Sequence, residues 1–345
     1  MKQVFASILL TIFFISCNRG PKKPDISKIK VDLTVRRFEK DFFSADTMNL
    51  DASLQKLEKS YPFFFTDYVE KIIGLNPSDS NTFRTGIIRF IKDYRPVYDS
   101  TTNLEKDIPL VASEIEEGLR YAKYYFPQYK LPIEFITFIG PMDAFVNSAT
   151  GSQAEIITSN ALCTGLQLHL GTNSSFYNSG PGQQLYPEYI SRKFSTDYIS
   201  VNCMKNIIDD VFPPNYSSKT LLDIMIDQGK RMYILDLLLP DKKDEIKLGY
   251  TSSQLKGAYD NEAFIWNYFT ENNLLYESDF IKIRSFVSDG PSTSEFGFGS
   301  PGFISLFMGR QIVRQYMENQ SEASITTLIN TDAAKVLAAS KYKPR

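Results

Sequence analysis

The apolar run from Val4 to Ile15 sets the terms on which the rest of the chain can fold. It is too short to cross a bilayer as a helix, which takes about 20 residues. Lys2 precedes it, Ser16 follows it, and Cys17 stands directly after that small residue. A basic start, an apolar stretch and a small residue before a cysteine make the layout of a bacterial lipoprotein signal peptide. In that layout the cysteine thiol is acylated and the chain is cut in front of it. Residues 1–16 are therefore read as a signal peptide. The fold is sought after Cys17, in an exported protein that carries covalent lipid on that residue and is expected to need no other cofactor.

Residues 18–30 are polar, with Pro21, Pro24 and the pair Lys22-Lys23, and residues 17–30 read as a lipidated flexible tether. Residues 31–345 are long enough for a large core and read as a single globular domain. Apolar residues make up 43% of the chain, enough for a packed interior, and the formal net charge is −2. That balance argues against nucleic acid and against an electrostatic hold on anionic lipid, both of which need a basic excess. Membrane attachment then falls to the acyl chains, whose buried methylenes each contribute about 0.8 kcal/mol. No second apolar run reaches membrane length, since Pro240 stops the one at Leu235 to Leu239. The segment after Cys17 lacks an acidic cluster of the kind associated with surface export, so the protein is expected in the cell envelope facing the periplasm.

A single histidine, His169, argues against a metal held by several imidazoles and leaves one candidate base for any serine or cysteine nucleophile. It reads as a structural residue. Besides Cys17 there are Cys163 and Cys203. The compartment permits a disulfide between them, and two buried free thiols fit equally well.

Hydrophobic periodicity gives an α-rich α+β reading, with a small sheet before a helical second half. Strands are expected within 31–38, 131–139, 154–158 and 162–170. Helices are expected over 38–43, 50–61, 68–75, 82–93, 104–126, 198–211, 221–239, 253–270, 304–318 and 333–340, with a turn-rich loop at 171–187. Thr220 and Asp223 open the 221–239 helix as a capping box. Asp241-Lys242-Lys243-Asp244-Glu245 reads as a solvated turn, Trp266 as core, and Glu262 as a surface ion-pairing residue.

Two of these helices bear on function. Asn202 and Asn206, four residues apart, share one face of the 198–211 helix, with Cys203 next to Asn202, and Gln228 lies on the following helix. The arrangement resembles a gluzincin metallopeptidase layout, with His-Glu-x-x-His on one helix and an acidic third ligand on a following one. Its chemistry is missing: asparagine amides replace imidazoles, a thiol replaces the general-base glutamate, and Gln228 replaces a carboxylate. Taken alone, these are ordinary polar residues on helices.

A colinear series of motifs adds to this. Arg37-Phe38 and Tyr61-Pro62-Phe63-Phe64 come early, and Tyr124-Tyr125-Phe126-Pro127 and Tyr186-Pro187-Glu188-Tyr189-Ile190 in the middle. Asp227-Gln228-Gly229-Lys230, Ile265-Trp266-Asn267-Tyr268-Phe269, Ser300-Pro301-Gly302 and Gly309-Arg310-Gln311-Ile312-Val313-Arg314 follow. The series resembles the gliding-motility lipoprotein GldB family over most of the mature chain. The resemblance implies a zincin-like domain that has lost its zinc ligands, with Asn202, Cys203, Asn206 and Gln228 at relict metal-site positions. It implies an acylated, non-catalytic scaffold or accessory component of the gliding and associated protein secretion machinery. Its partners would be the membrane, through the lipid, and other proteins of that machinery. Gln228, and Phe296-Gly297-Phe298-Gly299 ahead of the Ser-Pro-Gly, are less acidic than the family pattern suggests. The rival expectations are a hydrolase pairing Glu262 with Asp227, and a peptide- or glycan-binding module in the relict cleft.

Overall fold

The structure is a computed structural model that describes residues 23–215 and 219–344, so Cys17 and the signal peptide lie outside the described residues. Among the described residues six strands occur: β1 (Thr34–Arg37), β2 (Glu134–Phe138), β3 (Val146–Ser148), β4 (Gly151–Gln153), β5 (Glu155–Ile157) and β6 (Ala161–Gly165). Four of them form one sheet in the order β1-β2-β6-β5. The pairs β1–β2 and β2–β6 are parallel, and β5 closes the edge antiparallel to β6. β3 and β4 make a separate hairpin.

The main helices are α1 (Phe38–Phe43), α2 (Leu50–Ser60), α3 (Ser80–Asp93), α4 (Arg95–Ser100) and α5 (Ile108–Tyr125) before β2. After β6 come α6 (Ile199–Val211), α7 (Leu221–Leu238), α8 (Asp244–Leu248), α9 (Ser252–Asp260) and α10 (Glu262–Glu271). The chain closes with α11 (Phe280–Val287), α12 (Ile304–Asn319), α13 (Ile325–Asn330) and α14 (Ala333–Ser340). The protein is thus α+β and predominantly helical, as its periodicity indicates.

Alternation along the strands places the sheet between two cores, because successive side chains point to opposite faces. Phe135 and its register partner Leu162 enter the larger core, with Ile115 and Leu119 of α5, Met204 of α6 and most of α7. Ile136, Phe138 and Cys163 enter the second core, built from α1 to α4. That core is aromatic: the Phe38 ring meets Tyr61 and Phe64 edge-on, each at a 5.0 Å centroid distance.

α7 organises the second half. The capping box of Thr220 and Asp223 opens it, and nearly every side chain along it is buried. It crosses α12 so closely that a Cβ on Gly229 would lie 2.2 Å from the Gly309 carbonyl oxygen. About two turns along, Asp236 accepts from Arg310 Nε at 2.9 Å and Nη2 at 2.6 Å, and from Arg314 Nη2 at 2.7 Å. Lys247 of α8 joins at 2.8 Å. The network spans three helices in the interior, where charges are tolerated only when fully paired.

Several expectations need correction. Asp241 and Lys243 are exposed ahead of the helix as expected, but Asp244 is not in a solvated turn: it starts α8 and accepts from Arg310 Nη1 at 2.9 Å. The 171–187 loop holds two short helices, Ser175–Asn178 and Gly180–Leu185, folded over a third small core. In that core the Tyr177 and Tyr186 rings meet edge-on, and Tyr177 donates its hydroxyl to the Gln167 carbonyl. The 253–270 helix is two helices broken at Asn261, and the 68–75 helix is a π-type turn, Tyr68–Ile72. α4 and the β3–β4 hairpin have no counterpart in the expected elements. The described part of the tether lies against the domain, with Ile26 buried in the larger core and Lys23 paired to Asp241. Among the described residues no helix is long and apolar enough to cross a membrane.

Candidate functional site

α6 has two faces of different use. Val201, Cys203, Met204, Ile207 and Ile208 are buried in the larger core. Tyr198, just ahead of the helix, and Asn202 and Lys205 follow each other at helical spacing and line a cavity of about 340 Å³. The opposite wall comes from β4 and the aromatic core under residues 171–187, through Gln153, Phe145, Ala154, Leu168 and Phe194. Ile246, Leu248 and Tyr250, on and just after α8, and Phe303 ahead of α12 complete it.

Of the four positions expected to mark a former metal site, Asn202, Asn206 and Gln228 each meet a protein partner, and Cys203 lies in the core. Asn202 Nδ2 donates to Glu155 Oε2 at 2.9 Å. Asn206 Oδ1 accepts from Gln153 Nε2, while its Nδ2 is buried without a partner. Cys203 faces the core, and burial pushes its thiol well above the ordinary value. Gln228 Oε1 accepts from Ser305 Oγ at 2.5 Å. Gln228 lines a second cavity of about 380 Å³ with Asp227 and Lys219, so it does not share a cavity with Asn202. Among the described residues no group of three or more His, Cys, Asp or Glu is arranged to hold a metal ion. Amide oxygens in place of imidazoles and carboxylates are a poor donor set for zinc in any case.

Glu155, on the edge strand β5, is the polar hub behind the cavity. It is fully buried and accepts from Thr164 Oγ1 at 2.8 Å as well as from Asn202. His169 Nε2 lies 2.6 Å from Glu155 Oε1, and its Nδ1 lies 3.0 Å from the Ser195 carbonyl oxygen. A carbonyl can only accept, so Nδ1 carries hydrogen, and a further proton is shared between Nε2 and the carboxylate. His169 thus ties β5 to the segment leading into α6.

Three cations approach the cavity. Arg192 Nη2 donates to the Gly249 carbonyl at 2.7 Å. Lys193 pairs with Asp289, although burial pulls its ammonium below the ordinary lysine value. Lys205 is different. Burial, and then the like charge of Lys193, bring it down to about 8. No hydrogen bond or ion pair to another described residue holds its Nζ. Sequence reasoning missed it, because a lone lysine on the polar stripe of an amphipathic helix reads as solvated. Its spacing of three from Asn202 was the available signal.

The remaining candidates lie elsewhere. Glu262 is not a surface ion pair: it accepts from Tyr342 Oη at 2.5 Å and from Gln311 Nε2 at 3.2 Å, joining α10 to α12 and to the chain end. Trp266 meets the same Tyr342 edge-on. Asp227 accepts from Arg231 Nε at 3.0 Å and lies 3.7 Å from Lys219 Nζ. Glu262 and Asp227 therefore serve different partners. Cys163 and Cys203 are both free and buried.

Comparison with known proteins gives one relation. A family model described as gliding motility protein GldB matches residues 19–344. No curated protein and no solved structure matches the chain. With the match covering nearly the whole sequence, the chain belongs to the GldB family of gliding-motility lipoproteins.

Proposed function

We propose that this protein is a non-catalytic, lipid-anchored accessory component of the gliding machinery and its associated secretion apparatus, acting through protein contacts at the periplasmic face of the envelope. Family membership supplies the process. The non-catalytic part rests on one observation. The polar side chains at 202, 206 and 228 each have a protein partner, 203 is in the core, and Asn202 and Gln228 line different cavities. A hydrolytic site needs donors converging on one reacting atom. The zincin-like reading of the scaffold is supported by the 202/206 spacing on α6 followed by position 228 on α7.

Metal analysis and peptidase assays on the full-length lipoprotein, with in-cell crosslinking, test this reading. The expected result is substoichiometric zinc, no peptidase activity, and crosslinks to another component of the gliding or secretion machinery. Stoichiometric zinc with peptidase activity abolished by Asn202→Ala would overturn it.

A further inference from the structure

The cavity beside α6 combines two things a folded protein does not keep together without reason: an unpartnered ammonium and a wall of rings. A buried cation costs several kcal/mol when nothing compensates it. Elsewhere the buried cations Arg310, Lys247 and Arg231 meet carboxylates, and Lys230 meets two backbone carbonyls. Lys205, half-buried in the cavity wall, is the exception: among the described residues its Nζ meets neither a carboxylate nor a carbonyl.

We propose that this cavity binds a small amphipathic carboxylate, with the Lys205 ammonium holding the carboxylate and the aromatic and aliphatic wall taking the apolar part. The charge arithmetic selects a monoanion. Lys193 is already neutralised by Asp289 at the rim, and Arg192 is turned to the Gly249 carbonyl. One uncompensated cation suits one negative charge, because Asp289 is spent on Lys193 and Glu155 on His169, and the second charge of a phosphate ester would find no cation left to pair with. The apolar part follows from Phe145, Leu168, Phe194, Leu248, Tyr250 and Phe303 on the walls. About 340 Å³ accommodates on the order of ten to fifteen non-hydrogen atoms at the density of a packed site.

The titration of Lys205 supports this geometry. The charged groups around it are Lys193, Asp289, Asp209 and Glu155, with Arg192 and His169 also at the cavity, and the sum leaves its ammonium near 8. A bound carboxylate supplies the missing counter-charge and raises that value again. Affinity is therefore highest below about pH 8 and falls as the pH rises above it. This site goes beyond the accessory role proposed above, and its absence would leave that role untouched.

The test uses 4-phenylbutyrate, a water-soluble carboxylate of suitable size. Full-length lipoprotein in nanodiscs is titrated calorimetrically, with empty nanodiscs as the blank. Saturable one-to-one binding is expected at about pH 7, weakened about tenfold or more at about pH 9.5, by Lys205→Met, or by exchanging the probe for neutral 4-phenylbutanol. A melting curve for the variant establishes that it is folded. No saturable binding to wild type overturns the proposal. Binding that folded Lys205→Met retains, or that the alcohol matches, overturns it equally.

Discussion

Gly229 and Gly309 meet backbone to backbone where α7 crosses α12, and neither position has room for a Cβ. A methyl on Gly309 would lie 1.8 Å from the Met225 carbonyl oxygen, and one on Gly229 would lie 2.2 Å from the Gly309 carbonyl oxygen. These obstacles are backbone, which cannot swing aside. Gly309→Ala is expected to destabilise the protein by about 3 kcal/mol or more, beyond ordinary overpacking. Gly257→Ala inside α9 meets nothing within 4 Å and is expected to stabilise by about 0.5–1 kcal/mol. Denaturant unfolding of the two variants checks the pair, and equal effects would refute the close-crossing argument.

Asp236 is held as a carboxylate by its neighbours. Burial alone would push it up, but Arg310, then Arg314 and Lys247, outweigh burial and keep it well below the ordinary aspartate value of 3.8. A depressed carboxylate contributes stability that is complete above the unfolded value and lost as pH falls through the folded one. Asp236→Asn leaves Arg310 buried with only Asp244, at an expected cost of about 3–5 kcal/mol at neutral pH. Acid titrations of stability should show the wild type losing this advantage below about pH 4, with a flatter curve for the variant.

Lys205 gives the opposite pH sign. Its folded value of about 8 lies below the ordinary 10.5. Between these values the unfolded chain binds the extra proton, so stability rises with pH across that window. Lys205→Met is expected to gain on the order of 1–2 kcal/mol near pH 7, after allowance for cavity water, and this gain should fade toward about pH 10.5. Urea midpoints at several pH values measure it. A gain independent of pH would show that the ammonium is not the destabilising group.

Cys17 is expected to decide where the protein works. Cys17→Ser should abolish incorporation of labelled fatty acid and move the protein from the membrane to the soluble envelope fraction, since a net charge of −2 offers no electrostatic hold. Gliding should be lost with it. Retention of the variant on membranes would point to an anchor other than lipid.

The long helices were legible because α3, α5, α6, α7 and α12 carry apolar side chains at 3.6-residue spacing with clear ends, such as the Thr220–Asp223 box. β2 was legible from its β-branched and aromatic run. The short helices of residues 171–187 were not, because their stability comes from Tyr177, Tyr186 and Phe194 packing together rather than from local periodicity. Asp244 read as solvated because its partner, Arg310, lies 66 residues away. The same limit hid the site. Asn202 and Lys205 are close in sequence, but the wall that turns their helix face into a cavity comes from residues 145 to 194 and from 246 to 303.

The parallel pairing of β1 with β2 has a consequence for biogenesis. Thr34 finds its partner in Glu134, and Arg37 in Thr137. A chain threaded through an export channel from its N-terminal end delivers β1 long before β2, and α1 to α4 must wait for the sheet that separates their core from the other. Pairings so distant in sequence form late and leave apolar surface open in the meantime. In the envelope, the first casualty of a substitution in β2 would be the race between completing the sheet and capture by proteases.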